Sequence, residues 1–190
     1  MKWYGISGSW RNITSDVERD VKDAAESIIL YQGGSREGEI NPRKGIVTGG
    51  ALGVDFLAAQ TVLEKGDPER QLRIYLPVGL EKYLEYYESM AKKGAITYTQ
   101  AADLARLLTG FRAISSGIIS HYGDYEEVNR KSYYERNTGI VRLCDELYSF
   151  QVNDSRGTQD AIDKAISLGK IVHLKRYYTQ DHVPLNGKRK

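Results

Sequence analysis

The sequence has little of several features that would point to a particular class of protein. Its 190 residues contain one cysteine, Cys144, and three histidines without metal-ligand spacing. An internal disulfide, a cysteine-based zinc site and a bound metal are therefore not expected. No apolar run approaches the roughly 20 residues that cross a bilayer, and the opening MKWYGISGSW lacks a signal peptide's apolar core. We expect a cytoplasmic protein with no membrane partner.

The chain also lacks a strong charge of either sign. A formal net charge of +2 gives no bulk electrostatic reason to expect nucleic acid, and part of it belongs to residues 188–190. We interpret residues 1–178 as a single domain and residues 179–190 as a basic, flexible tail. The 14 tyrosines outnumber the 3 phenylalanines, which suits base stacking or a subunit interface as well as a partly solvated core edge. The tyrosine-rich residues 80–93 lead us to expect a homodimer.

What the sequence does contain is a strand, a glycine turn and a helix in succession over residues 44–64. The apolar residues 45–47 enter a turn with Gly49, Gly50 and Gly53, and an amphipathic segment follows. At the carboxyl end of a parallel strand, such a turn presents backbone N–H groups and the positive end of a helix dipole, which suits a phosphate. The same pattern also makes a tight connection without any ligand.

Strand and helix patterns alternate along the rest of the chain. Apolar runs predict further strands at residues 3–8, 72–77, 147–152 and 170–174. Helical periodicity predicts helices at residues 15–31, 54–64, 80–93 and 100–108, in the second half of 125–144, and after residue 158 as far as 168. Residues 113–120 fit either a short strand or an irregular segment. The alternation predicts an α/β fold: a doubly wound, mainly parallel sheet of about five strands with helices on both faces.

Three loops follow the carboxyl ends of strands, where doubly wound sheets bind ligands. They cover residues 7–11, 48–53 and 153–158. The candidate ligand-binding residues in and beside them are Gly8, Ser9, Arg11, Thr48, Gly49, Gly50, Gly53, Asp55, Ser155, Gly157 and Thr158. Because glycine, serine and threonine also serve turns and helix caps, the alternative is that these loops are only connections.

Arg136 is the cation that we place in this site. It lies in the segment YYERN between Glu135 and Asn137, and its planar donors suit a phosphate. A surface salt bridge with Glu135 or Asp145 explains its spacing nearly as well. Asp55, in the first turn of its helix, either caps backbone N–H groups or hydrogen-bonds a ribose hydroxyl, and capping is the more ordinary role.

Five segments resemble the SLOG superfamily, the group that contains the DNA-processing protein DprA (Smf) and the LOG-type phosphoribohydrolases. They are GSWR, TGGALGVD, PVGLEKY, ERN and SRGTQDAIDKAISLGK, at residues 8–11, 48–55, 77–83, 135–137 and 155–170, and they occur in the family's order. The resemblance implies a Rossmann-like nucleotide-binding fold, with a glycine motif nearest to that of DprA.

The two branches of this family imply different activities. DprA proteins bind single-stranded DNA and load a recombinase, and Thr138 stands where their RNR pattern has its third basic residue. LOG-type enzymes cleave the N-glycosidic bond of nucleoside monophosphates with an arginine and a glutamate. Arg136 matches the arginine, but Ala161 falls where the glutamate belongs, which leaves Asp160 or Glu135 as candidate acid or base.

The leading hypothesis is therefore a protein that binds a nucleotide or a nucleotide-derived phosphate ligand as a sensor or carrier, with no required cofactor. One alternative is an N-glycosidic hydrolase with Arg136, Asp160 and Glu135 as catalytic candidates. The other is DprA-like binding of single-stranded DNA. All three require residues 49–53, residues 155–158 and Arg136 to converge on one pocket.

Overall fold

In the computed structural model, which describes residues 1–181, strands and helices alternate along the chain. The strands are β1 (Lys2–Gly8), β2 (Lys44–Thr48), β3 (Leu72–Leu76), β4 (Ile119–His121), β5 (Glu146–Val152) and β6 (Ile171–Tyr177). The helices are α1 (Ser15–Ile29), α2 (Val54–Lys65), α3 (Pro68–Gln71), α4 (Leu80–Lys92), α5 (Tyr98–Ile114), α6 (Arg130–Leu143) and α7 (Arg156–Ser167). None of these helices combines the length and apolar character that a bilayer crossing requires. Most of the tail predicted at residues 179–190 lies outside the described residues.

The six strands form one parallel sheet in the order β4-β3-β2-β1-β5-β6. From β1 the chain adds β2, β3 and β4 on one side, then crosses to the other side of β1 for β5 and β6. The strand order therefore reverses between β1 and β5, and a crevice opens there at the carboxyl ends of the strands. The doubly wound parallel sheet predicted from the sequence is confirmed. It has six strands because part of the undecided segment 113–120 contributes to β4.

Helices cover both faces of the sheet, as predicted. Successive residues of a strand point to opposite faces of the sheet. Ile46 therefore lies in the larger apolar cluster, which includes residues of α1, α2, α4 and α5. The next residue, Val47, lies in a second apolar cluster with residues of α6 and α7. Cys144 is buried in that second cluster, and burial raises the pKa of its thiol to about 11.

Helix ends follow local capping chemistry. The Thr14 hydroxyl accepts a hydrogen bond from the Val17 N–H and begins α1, in agreement with the sequence. Helix α5 is longer than the predicted 100–108, because Thr97 and Gln100 form a capping box that begins it earlier. The short helix α3 was not predicted from the sequence.

Candidate functional site

A cavity of about 280 Å³ lies at the crevice between the carboxyl ends of β1 and β5. Ser7 and Gly8 of β1 line it together with Ala51 and Asp55, and further walls come from α4, α6 and the start of α7. The cavity is near the lower end of the roughly 300–1,000 Å³ typical of small-molecule sites. Its position is where open α/β sheets bind ligands.

The start of α7 forms one wall of the cavity. Ser155 is its N-cap residue, but the Ser155 side chain caps no backbone N–H; its hydroxyl accepts a hydrogen bond from the Thr158 hydroxyl at 2.9 Å. The N–H groups of Arg156, Gly157 and Thr158 belong to the first turn, so they have no carbonyl partner within the helix. An anion at this wall would meet both these donors and the positive end of the helix dipole.

Two arginines at the cavity carry uncompensated charge. Arg130 from α6 and Arg156 from α7 both line it and are both exposed. Neither makes an ion pair or a hydrogen bond within residues 1–181. The cavity therefore has a positive rim. Arg130 lies in no recognisable sequence pattern, and Arg156, although it lies within residues 153–158, was not among the candidate ligand-binding residues.

Arg136 lies deeper and is already paired. Its Nη1 donates to Asp55 Oδ2 at 3.0 Å, and the two side chains are 7% and 5% exposed. The surface partners Glu135 and Asp145 suggested by its spacing are therefore wrong. Burial is the largest single influence and acts to lower the pKa of Arg136, but Asp55, Tyr83 and Tyr133 together outweigh it, so the pKa is raised. Burial likewise raises the pKa of Asp55, against the attraction of Arg136.

Several polar atoms around this ion pair have no hydrogen-bond partner within the described part of the chain, residues 1–181. They include Arg136 Nε, Asp55 Oδ1 and the Thr48 hydroxyl. The Thr48 hydroxyl faces Asp55 and stabilises its charge without the geometry of a well-formed hydrogen bond. Asp55 Oδ2 also accepts the Ala51 N–H at 3.4 Å. By accepting this hydrogen bond, Asp55 holds the glycine turn in place. This role is closer to the expected capping of backbone N–H groups than to a ligand contact.

The glycine turn after β2 is filled by the protein's own atoms. A Cβ on Gly49 would lie 0.9 Å from Arg136 Nη1. Gly50, at φ +64°, would meet Ile74 at 2.8 Å, and Gly53, at φ +77°, would meet the Ser9 carbonyl oxygen at 2.6 Å. The glycines are needed for these close approaches and positive φ angles. Of residues 49–53, only Ala51 lines the cavity.

The predicted ligand-binding residues are therefore divided between several places. Those that line the cavity are Gly8, Asp55, Arg136, Asn137, Ser155, Gly157 and Thr158. Thr48, Gly49 and Gly50 lie outside the lining of the cavity. The Ser9 hydroxyl accepts a hydrogen bond from the Val152 N–H at 2.8 Å. Ligand binding by these four residues stays a prediction.

Arg11 and Gly53 line a separate, broader hollow of about 540 Å³. Trp10 stands between the two spaces, lining both, and the Arg11 guanidinium stacks 4.0 Å from its ring centroid. The Arg11 side chain is thus packed on Trp10 outside the lining of the smaller cavity, and ligand binding by Arg11 and Gly53 stays a prediction.

Aromatic side chains form the remaining walls of the cavity. Tyr86 and Tyr87 come from α4, Tyr133 and Tyr134 come from α6, and Trp10 follows β1. Burial raises the pKa of Tyr133 well above its ordinary value, so this phenol stays neutral. Flat aromatic faces beside a cationic rim can stack a base while the rim holds a phosphate. The excess of tyrosine was the sequence signal for this wall.

The catalytic candidates do not form an acid–base pair in the cavity. The Asp160 carboxylate accepts from Lys164 Nζ at 2.8 Å and from Asn137 Nδ2 at 2.9 Å. Ala161 packs in the second apolar cluster, and Glu135 does not line the cavity. Among residues 1–181, no group of three or more metal-ligating side chains is placed to hold a metal ion.

Comparison with known proteins gives a likeness of fold. No protein-family model matches the chain, and no curated protein matches it. Among solved structures, DNA processing protein A of Helicobacter pylori matches with a TM-score of 0.61 and 18% identity, over 90% of this chain and 63% of that one. DNA processing protein A (DprA) of Streptococcus pneumoniae matches with a TM-score of 0.47 and 16% identity, over 90% of this chain and 58% of that one.

The match to the Helicobacter pylori protein, together with the sheet topology, defines the class of fold. The chain has a DprA-like, Rossmann-type α/β fold. It spans less than two thirds of the length of either DprA chain.

Proposed function

We propose that this chain is a cytoplasmic, SLOG-type protein that binds a nucleotide or a nucleotide-derived phosphate ligand in the cavity, as a sensor or carrier. The observation that carries the proposal is the pair of unpaired arginines, Arg130 and Arg156, at a cavity walled by aromatic rings and by the start of α7. The phosphate lies at the N–H groups of residues 156–158, and the base stacks on the tyrosine wall.

Calorimetric titration with adenosine 5′-monophosphate (AMP) and with adenosine tests this assignment. We expect AMP to bind and adenosine to bind at least about tenfold more weakly, because the phosphate meets charge-assisted donors. Arg156→Ala should lower AMP affinity about tenfold, as expected for the loss of one such contact. Arg106→Ala is the matched control, since Arg106 is an exposed arginine of α5 that pairs with Asp103 away from the cavity.

Either of two binding results would contradict this proposal. Equal affinity for AMP and adenosine, or an Arg156→Ala variant that binds as the wild type does, would remove the phosphate site. Release of adenine in the same samples would favour the hydrolase alternative, which needs an acid or base other than the engaged Asp160 carboxylate.

Binding of single-stranded DNA is the second candidate. The Helicobacter pylori protein, which shares the fold, binds single-stranded DNA. Arginines next to aromatic faces, as at this cavity, are also what sequence-tolerant single-strand binders use. Anisotropy with a labelled oligothymidine should then show affinity that falls steeply with salt and is lost in the presence of AMP. Binding that is absent at low salt excludes this candidate.

A further inference from the structure

Asn137 is a buried amide in the wall of the cavity. It is 5% exposed and lies on α6 directly after Arg136. Its Nδ2 donates to the Gly157 carbonyl oxygen at 3.1 Å and to Asp160 Oδ2 at 2.9 Å. An amide nitrogen has two hydrogens, so both are used. Within residues 1–181 nothing donates to Asn137 Oδ1, which is therefore the one polar atom that this side chain has to offer.

The orientation of this amide is fixed from outside the cavity. Asp160 also accepts a hydrogen bond from Lys164 Nζ at 2.8 Å, and Lys164 Nζ donates in turn to the Tyr134 carbonyl oxygen at 2.5 Å. A flipped amide would place Asn137 Oδ1 against a carbonyl oxygen and a carboxylate, which are both acceptors. Lys164 holds the Asp160 side chain in place, and Asp160 keeps the amide nitrogen turned away from the ligand.

We propose that Asn137 is a specificity-determining residue that accepts a hydrogen bond from the ligand, and that Asp160 and Lys164 are its positioning residues. This rests on the proposed function of the cavity. A phosphate monoester is mostly a dianion at neutral pH, and the dianion only accepts hydrogen bonds, so the phosphate belongs at α7 and the arginines, and a hydroxyl or amine meets Asn137. In a nucleotide, that donor is a sugar hydroxyl or the exocyclic amine of the base.

A series of analogues tests the proposal on the wild-type protein. AMP is compared with 2′-deoxy-AMP, 3′-deoxy-AMP and purine riboside monophosphate, which lacks the exocyclic amine. We expect one of the three to bind at least about tenfold more weakly than AMP, because it leaves Asn137 Oδ1 without a donor. The analogue affected identifies the sugar or the base as the source of the donor.

The outcomes separate this inference from the proposed function. Binding of AMP with equal affinity for all four ligands overturns the role of Asn137 and leaves the phosphate site standing. No binding of AMP overturns both. The series needs no variant, so it remains decisive even where a substitution prevents folding.

Substitutions at Asp160 test the positioning role. Asp160→Ala frees the amide, and we expect the selectivity among the four ligands to fall to about twofold or less while the affinity for inorganic pyrophosphate stays the same. Asp160→Asn should restore the selectivity, because its carbonyl oxygen can still accept from Asn137 and Lys164. The control is Asp163→Ala, which removes an exposed carboxylate on the same helix whose only hydrogen-bond partner among residues 1–181 is Gln159. Full selectivity in Asp160→Ala would overturn the positioning role.

Discussion

The turn after β2 and the turn after β5 look alike in sequence but have different surroundings. Both lead from a parallel strand into a helix through glycine. In the first turn, Gly49 lies directly beneath Arg136 and Gly53 beneath the backbone of Ser9. In the second, Gly157 has nothing within 4 Å of the position that a Cβ would take, and the residue lines the cavity. A glycine can thus make room for the protein's own side chain or for a ligand.

The difference comes from a side chain that is remote in sequence. Arg136 lies 81 residues after Asp55 and extends from α6 over the first turn. Its guanidinium occupies the space directly above Gly49. The first turn therefore acts as a rigid support for the cavity, and the second turn supplies the open donors.

The largest expected effect is on stability, from Gly49→Ala. Its methyl group would overlap Arg136 Nη1, so the guanidinium must leave Asp55 and a buried ion pair is broken. We expect a loss of about 4 kcal/mol in the free energy of unfolding, measured by urea denaturation. Gly157→Ala, the same change in the second turn, should alter stability by no more than about 1 kcal/mol. If both variants lose similar amounts of unfolding free energy, the proposed difference between the two turns is wrong.

A somewhat smaller loss is expected for Arg136→Met. The methionine fills much of the volume but leaves the Asp55 carboxylate buried without its partner, at a cost of about 3 kcal/mol. Urea denaturation of the double variant with Asp55→Asn should recover part of this loss, since no unpaired charge remains. If the free energy of unfolding falls in the double variant by the sum of the losses in the two single variants, the ion pair does not couple the turn to α6.

The two turns should differ next in ligand affinity. Ser155→Ala removes a hydroxyl at the cavity, and we expect AMP affinity to fall about tenfold, the usual effect of one hydrogen bond to a charged group. Thr48→Val removes a hydroxyl in the first turn that lies outside the cavity lining, so calorimetry should show unchanged affinity. The reverse pattern would place the phosphate at the first turn.

The smallest effect concerns the opposite end of β5. Hydrogen bonds from Lys2 and then His173 lower the pKa of Glu146 below its ordinary 4.5. A lowered pKa stabilises the fold above that ordinary value, and the contribution is lost as the pH falls through the folded-state pKa. We expect less than about 1 kcal/mol, because the partners are exposed. The melting temperature should therefore fall less below about pH 4.5 in Glu146→Gln than in the wild type, with AMP affinity at neutral pH unchanged.

The sequence was sufficient for the fold and for part of the site. Periodicity predicted the helices and the doubly wound sheet because local apolar patterns decide which face of each element is buried. Gly8, Asn137 and Thr158, which the sequence order suggested for one site, line the same cavity, and their role in ligand binding stays a prediction. The partner of Arg136 and the positions of Arg130 and Arg156 depend on how α6 and α7 pack, which no local pattern encodes. For the same reason, the sequence could not predict that Arg136 packs against the turn after β2.

A crystal structure of the complex with AMP tests most directly which turn holds the phosphate. We expect the phosphate oxygens within hydrogen-bond distance of the backbone N–H groups of residues 156–158, with Arg136 still bonded to Asp55. A phosphate seated over Gly49 and Gly50, with Arg136 displaced from Asp55, would contradict this assignment.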